Sequence, residues 1–210
     1  MLLAASAAFV GLVHSLAPGH WLPVVLMTKT KHWGVRNAVL GAITAAAGHI
    51  LISIALAAVG LEIGAHFLIE REALIERYAG LGLVVFGLGY AALSLVRHRS
   101  CHGHEHHGPE LTAQREKAPF IFLFMLGFSP CVAVLPLFVA AAPIGVGAVV
   151  MTMVGFAVGV LGALISATVL VSRGIMRLDH PIFEHYGDLL TGLGVALMGA
   201  VLFFFFPLMD

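Results

Sequence analysis

The sequence predicts an all-α integral membrane protein with six transmembrane helices, arranged as two inverted three-helix repeats with broken first and fourth helices. Of the 210 residues, 60% are hydrophobic and 10% charged, and the mean hydropathy is +1.01, which is a membrane composition. The apolar runs are also about as long as helices that cross a bilayer. We expect spans at residues 2–27, 37–60, 78–96, 119–142, 147–171 and 186–206.

A single long polar segment divides the chain into three parts. Residues 97–118 separate a first three-helix repeat, residues 1–96, from a second one, residues 119–210. Because each half holds three spans, the second half enters the membrane from the opposite side, so the repeats are inverted. No basic stretch precedes the first apolar run, which we therefore interpret as a retained helix and not a cleaved leader.

Lys and Arg are distributed unequally between the two sides of the predicted bundle. Nine of them lie in the first, third and fifth connections, and two lie on the opposite side. The positive-inside rule then predicts a multi-pass inner-membrane protein with both termini outside and the 97–118 loop in the cytoplasm. A formal net charge of zero gives no indication of a nucleic-acid partner.

The first span contains two histidines on either side of a helix break. His14 and His20 flank the Pro18-Gly19 pair, and proline both removes a backbone donor and clashes with the preceding turn. Such a break is tolerated in lipid only against protein or a wet cavity. In an unbroken helix the two side chains would point to different faces, whereas the break allows both to turn inward. His49, near the middle of the second span, is the third histidine expected at this depth.

The fourth span repeats the interruption of the first. Its Pro130, Cys131 and Pro136 correspond to the elements around Pro18 and Pro23. Paired broken helices in inverted halves indicate a transporter site near the bilayer midplane. Repeated prolines alone are weak evidence, because proline and glycine are frequent in membrane helices.

These features predict a midplane metal site. Imidazole nitrogen suits nickel, cobalt, zinc, copper and iron, whereas magnesium and calcium prefer oxygen. The alternatives remain open that an intramembrane histidine only forms an interhelical hydrogen bond and that the cysteine is a packing residue. The predicted ligands are His14, His20, His49 and Cys131.

The polar segment holds a second, weaker set of candidate ligands. Its composition is typical of a flexible metal-binding tract, although an inert tract is the alternative. The candidates in the tract are His98, Cys101, His102, His104, His106 and His107.

The motif His14-Ser-Leu-Ala-Pro18-Gly19-His20, followed by His49, resembles the NicO family of nickel–cobalt transporters, the RcnA-type exporters. That family also shows a His-rich cytoplasmic loop in mid-chain and a Gly-x-x-Pro-Cys-Pro-like element in its second half. Here the element is Gly127-Phe-Ser-Pro-Cys-Val, with valine in place of the last proline. The resemblance covers nearly the whole chain.

The resemblance implies secondary transport of Ni²⁺ or Co²⁺ out of the cytoplasm, with Zn²⁺ left open as a substrate. It implies no enzymatic activity and no tightly bound cofactor. The expected partners are the lipid bilayer and the divalent metal ion; a homo-oligomer is left open, and no nucleic acid is expected.

Other functions are weighed against metal export. Metal import is one alternative. A membrane thiol carrier of the CcdA/DsbD type is another, because the stretch around Cys131 also resembles that group, but thiol exchange needs a partner thiol. A site rich in imidazole and poor in Lys and Arg argues against a small-anion permease of the TauE type.

Overall fold

The computed structural model describes residues 1–63, 71–100, 109–129, 131–175 and 181–205. Within these ranges the regular elements are all helical, as predicted. Two short 3₁₀ turns, Val132–Val134 and Ala142–Ile144, flank the sixth helix. The helices are α1 (Leu2–Ser15), α2 (Pro18–Thr30), α3 (Val35–Ile63), α4 (Glu72–Ser100), α5 (Pro109–Leu126), α6 (Leu135–Ala141), α7 (Val146–Ile175) and α8 (Pro181–Phe205).

Three of the described helices, α3, α4 and α7, are long and apolar enough to cross a membrane, and a fourth span is added when α1 and α2 count as one broken helix. The other apolar stretches, Val132–Ile144 and Tyr186–Val201, are shorter. The membrane class predicted from composition is therefore confirmed, at three to four spans by length and hydropathy. The predicted six spans stay a prediction.

The break between α1 and α2 has a local cause. Pro18 is the first residue of α2, where its missing N–H costs nothing, and a residue before proline is driven out of the helical region. Ala17 accordingly takes φ −58° and ψ 134°, and the two helix axes meet at 57°. Trp21 closes the corner by donating its indole N–H to the Leu16 carbonyl over 2.8 Å.

A second interruption follows α5. The helix ends at Leu126, and helical structure resumes at Val132. Cys131 between them is extended, with φ −99° and ψ 98°, and its backbone N–H donates to the Ser53 hydroxyl of α3 over 3.1 Å. Pro130, which predicts this break, lies outside the described residues.

Small residues bring α1 against the N-terminal half of α7. Gly155 and Gly159 of α7 contact the carbonyls of Ala4 and Ala8 of α1 so closely that a β-carbon on either glycine would clash. A β-carbon on Gly11 would lie 2.7 Å from the Phe156 carbonyl oxygen. Close backbone approach through small residues is the usual basis of helix association in a bilayer. The two helices run in the same direction.

The same kind of contact joins two further helix pairs. In the α3–α5 pair, Trp33, just before α3, stacks on Phe120, and further along both helices Gly48 meets Gly127, so these helices are also parallel. The α4–α8 pair is antiparallel, because Gly87 meets Gly192 whereas Gly80, earlier in α4, meets Gly199, later in α8. A β-carbon placed on Gly199 would lie 2.5 Å from the Gly80 carbonyl oxygen.

One charged network ties α2 to the α4–α8 pair. Lys31, just after α2, forms an ion pair with Asp188 of α8 at 2.6 Å. Tyr90 of α4 donates its hydroxyl to the other carboxylate oxygen of Asp188 at 3.2 Å. Helix α8 has a non-helical residue at Tyr186, two positions before this aspartate.

Helical structure extends into the predicted loop 97–118 from both sides. Helix α4 continues to Ser100, and α5 already begins at Pro109. Neither end of the segment contains a glycine or a β-branched run that would stop a helix, and Pro109 stands where the first turn tolerates proline. The remaining residues, 101–108, lie outside the described ranges.

Candidate metal centre

Three imidazoles meet at the break in the first span. Each of His14, His20 and His49 offers one ring nitrogen, and these atoms all lie within 4.8 Å of one another. The Nε2 atoms of His14 and His20 are 3.2 Å apart. The ring centroids are separated by 4.9 Å (His14–His20), 5.4 Å (His14–His49) and 4.7 Å (His20–His49).

The backbone around the break places these rings. His14 lies in the last turn of α1 and His20 in the first turn of α2, so the 57° bend folds the two side chains together. His49 stands midway along α3, next to Gly48, and the absence of a side chain at that glycine lets α5 approach. The sequence-based prediction that the break turns His14 and His20 inward agrees with this geometry.

His49 is the most buried of the three, at 1% exposure. Backbone groups of Gly127 and Ser129 lie close to its ring, but neither ring nitrogen makes a hydrogen bond of ordinary geometry to a described residue. A buried polar group normally finds a partner, and leaving one unpaired is costly. The ring borders a narrow pocket lined by Gly19, His20, Ala45, His49, Leu126, Gly127 and Leu164.

Cys131 is the one predicted midplane ligand that falls outside this group. Its side chain is buried, at 1% exposure, in the apolar core, and the set of neighbouring ligand atoms contains the three histidines alone. The backbone at Cys131 is extended, its N–H donates to the Ser53 hydroxyl, and a 3₁₀ turn begins at the next residue. A ligand role for its sulfur stays a prediction.

The predicted ligands of the polar segment are not part of the described centre. His98 lies in the last turn of α4, and its side chain is not described. Cys101, His102, His104, His106 and His107 lie outside the described residues.

Sequence reasoning missed several residues that the structure places beside the centre. Ser53, one turn after His49, holds the second break by its hydroxyl. Leu164 of α7 lines the pocket. Both are ordinary residues of apolar helices, and only their distance in space from the histidines gives them a role. The one sequence signal for the role of Ser53 is its spacing, which places it one helical turn after His49.

The fold and the centre together define a class: an α-helical protein with membrane-crossing helices and a cluster of imidazoles at a helix break. Comparisons with protein families, with curated proteins and with solved structures found no match for this chain.

Proposed function

We propose that this protein is a secondary transporter of a divalent transition metal ion, Ni²⁺ or Co²⁺, which it exports from the cytoplasm. The observation that carries the proposal is the meeting of His14, His20 and His49 at a broken helix. An ionisable cluster at membrane depth is a functional site by default. Irregular backbone there is tolerated where it is buried in protein or lines a cavity.

The donor set favours late first-row metals. Three neutral imidazoles without a carboxylate in the described group suit nickel, cobalt, zinc or copper better than magnesium or calcium. Metal–nitrogen bonds of about 2.0–2.1 Å require donor nitrogens about 3.3 Å apart. The His14–His20 pair at 3.2 Å already meets this requirement, and the remaining separations need to contract.

The packing of the helices supports six alternating spans in two inverted repeats. In that arrangement spans one and five run in the same direction, spans two and four do also, and spans three and six run oppositely. The contacts of α1 with α7, of α3 with α5 and of α4 with α8 have these directions. An inverted repeat exchanges span one with four, two with five and three with six. This exchange converts the α1–α7 pair into the α3–α5 pair and leaves the α4–α8 pair unchanged, as the two repeats require.

The proposed direction rests on the resemblance to RcnA-type NicO exporters and on the positive-inside count. With the termini outside, the His-rich tract faces the cytoplasm and raises the local metal concentration at the inner mouth. Proton exchange is the expected drive, since imidazoles release protons when they bind a metal. Membrane and metal ion are the proposed partners, and a homo-oligomer stays open.

A thiol carrier is the weaker function. Cys131 is buried in the apolar core, and it is the only cysteine within the described residues. Exchange needs a second thiol within reach.

The test is metal flux into or out of proteoliposomes for His14→Ala, His20→Ala and His49→Ala. Each substitution removes one of three ligands, so we expect each to abolish Ni²⁺ flux while the protein stays folded in detergent. His32→Ala is the matched control, because His32 is exposed and outside the cluster. Wild-type flux in all three cluster variants would exclude the site. Protection of exporter-deficient cells from nickel or cobalt salts, as opposed to sensitisation, distinguishes export from import.

A further inference from the structure

Five hydroxyls in the apolar helices are satisfied by their own helix. Each donates to the carbonyl one turn earlier, which is the usual solution where no water is present. The side chains that do so are Thr28, Thr44, Thr152, Ser166 and Thr191.

Three fully buried hydroxyls have no such bond. Ser15, Thr168 and Ser172 are buried, with exposures of 0%, 0% and 4%, and their oxygens have no hydrogen-bond partner in the described protein. Thr168 and Ser172 lie within α7, so the carbonyl one turn earlier was open to them as it was to Thr152 on the same helix. An unpaired buried hydroxyl carries a desolvation penalty that a water molecule relieves.

The three hydroxyls follow one seam. Leu164 of α7 lines the histidine pocket, and Thr168 and Ser172 are one and two turns further along the same face of α7. Ser15 adjoins His14 and stands one turn after Gly11, which packs against Val160 of α7. The seam therefore runs from the imidazoles to the C-terminal end of α7.

We propose that Thr168 and Ser172 line a route between the histidine cluster and the C-terminal end of α7 that fills with water when the protein opens toward that end. This inference rests on the proposed transport function, because the route serves a hydrated divalent cation. Hydroxyl oxygens accept hydrogen bonds from, and donate them to, the water around the ion, so the ion keeps its hydration until imidazoles replace it. By the positive-inside count the C-terminal end of α7 is on the cytoplasmic side, which makes the route the entry path.

Cysteine labelling tests the route independently of transport. Thr168→Cys and Ser172→Cys are made singly in a Cys101→Ser background, purified in detergent and treated with a small hydrophilic methanethiosulfonate. The reagent reacts with the thiolate, which forms only where water reaches the sulfur. Thr152→Cys and Thr191→Cys are the matched controls, since both threonines are fully buried but bonded within their helices. The background itself reports labelling of Cys131.

We expect Thr168→Cys and Ser172→Cys to react at least about ten-fold faster than the controls, and saturating Ni²⁺ to slow both reactions. Labelling at the control rate would overturn the proposal, whatever the transport result. Fast labelling that Ni²⁺ does not slow, in a protein shown by calorimetry to bind Ni²⁺, would overturn the link between the route and the imidazoles. Fast labelling in a protein that binds no Ni²⁺ would support the water route and contradict the proposed metal function.

Discussion

The ion pair between Lys31 and Asp188 gives the sharpest stability prediction. Lys31→Met removes the cation and leaves Asp188 with the Tyr90 hydroxyl as its one described side-chain partner, whereas Asp188→Asn keeps an acceptor for Tyr90 and removes the anion. The double variant leaves neither charge unpaired. We therefore expect the two single changes together to lower the free energy of unfolding by more than the double change does.

The magnitude follows from distance and burial. An exposed pair contributes about 0–1 kcal/mol, and a hydrogen bond to a charged group about 1.5–3 kcal/mol. Here the contact is short, at 2.6 Å, but the side chains are 33% and 34% exposed, so solvent screening reduces the upper value. We expect a coupling free energy of about 1–2 kcal/mol. Lys31→Met should lower the unfolding temperature by roughly 2–8 °C in a protein of this size.

The assay is thermal unfolding in detergent followed by tryptophan fluorescence, with a double-mutant cycle of Lys31→Met and Asp188→Asn. The control is Arg36→Met, which removes an exposed cation close by in the sequence. Additive effects of the two changes, to within about 0.3–0.5 kcal/mol, would refute the coupling.

Three further predictions concern the centre and the loop. Gly127→Ala places a methyl 2.8 Å from the His49 backbone nitrogen and closer still to the Ala45 carbonyl, so overpacking should cost about 1–3 kcal/mol in the same unfolding assay. Gly162→Ala, with open space around it, should not destabilise the protein. Cys131→Ser should lower Ni²⁺ flux only in part, and complete loss together with disulfide-reducing activity of the wild type would favour a thiol carrier. Replacing the loop histidines together with Asn should raise the metal concentration at half-saturation of transport at a similar maximum rate. A collapse of the maximum rate would put the loop in the pathway. The histidines replaced are His98, His102, His104, His106 and His107.

The main features of the centre could be predicted from local chemistry. The Pro18 break follows from the missing N–H and the restriction on Ala17, and the break in turn brings His14 and His20 together. The all-helical class and the three to four apolar spans of the described residues followed from apolar run lengths alone. These are short-range effects, so a single sequence carries them.

The remaining features depend on contacts between distant residues. Nothing near Lys31 indicates that its partner is Asp188, 157 positions away. Nothing around Cys131 in the sequence indicates that its side chain packs in the apolar core or that its backbone N–H donates to Ser53; its ligand role stays a prediction. The unpaired hydroxyls of α7 could not be predicted either, because a threonine that bonds within its helix and one that does not look the same in sequence.

Helix α2 connects the ion pair to the metal site, which yields a last prediction. It carries His20 in its first turn and is followed directly by Lys31, about 16 Å away at 1.5 Å per residue. A tilt of about 5° around the Lys31 end moves His20 by about 1.4 Å, close to the contraction that ligand atoms spread over 4.8 Å need. Without the ion pair, α2 samples more orientations, so Lys31→Met should weaken Ni²⁺ binding about 3–10-fold in calorimetry. An unchanged Kd, equal to that of Arg36→Met, would show that the anchor at Asp188 does not position His20.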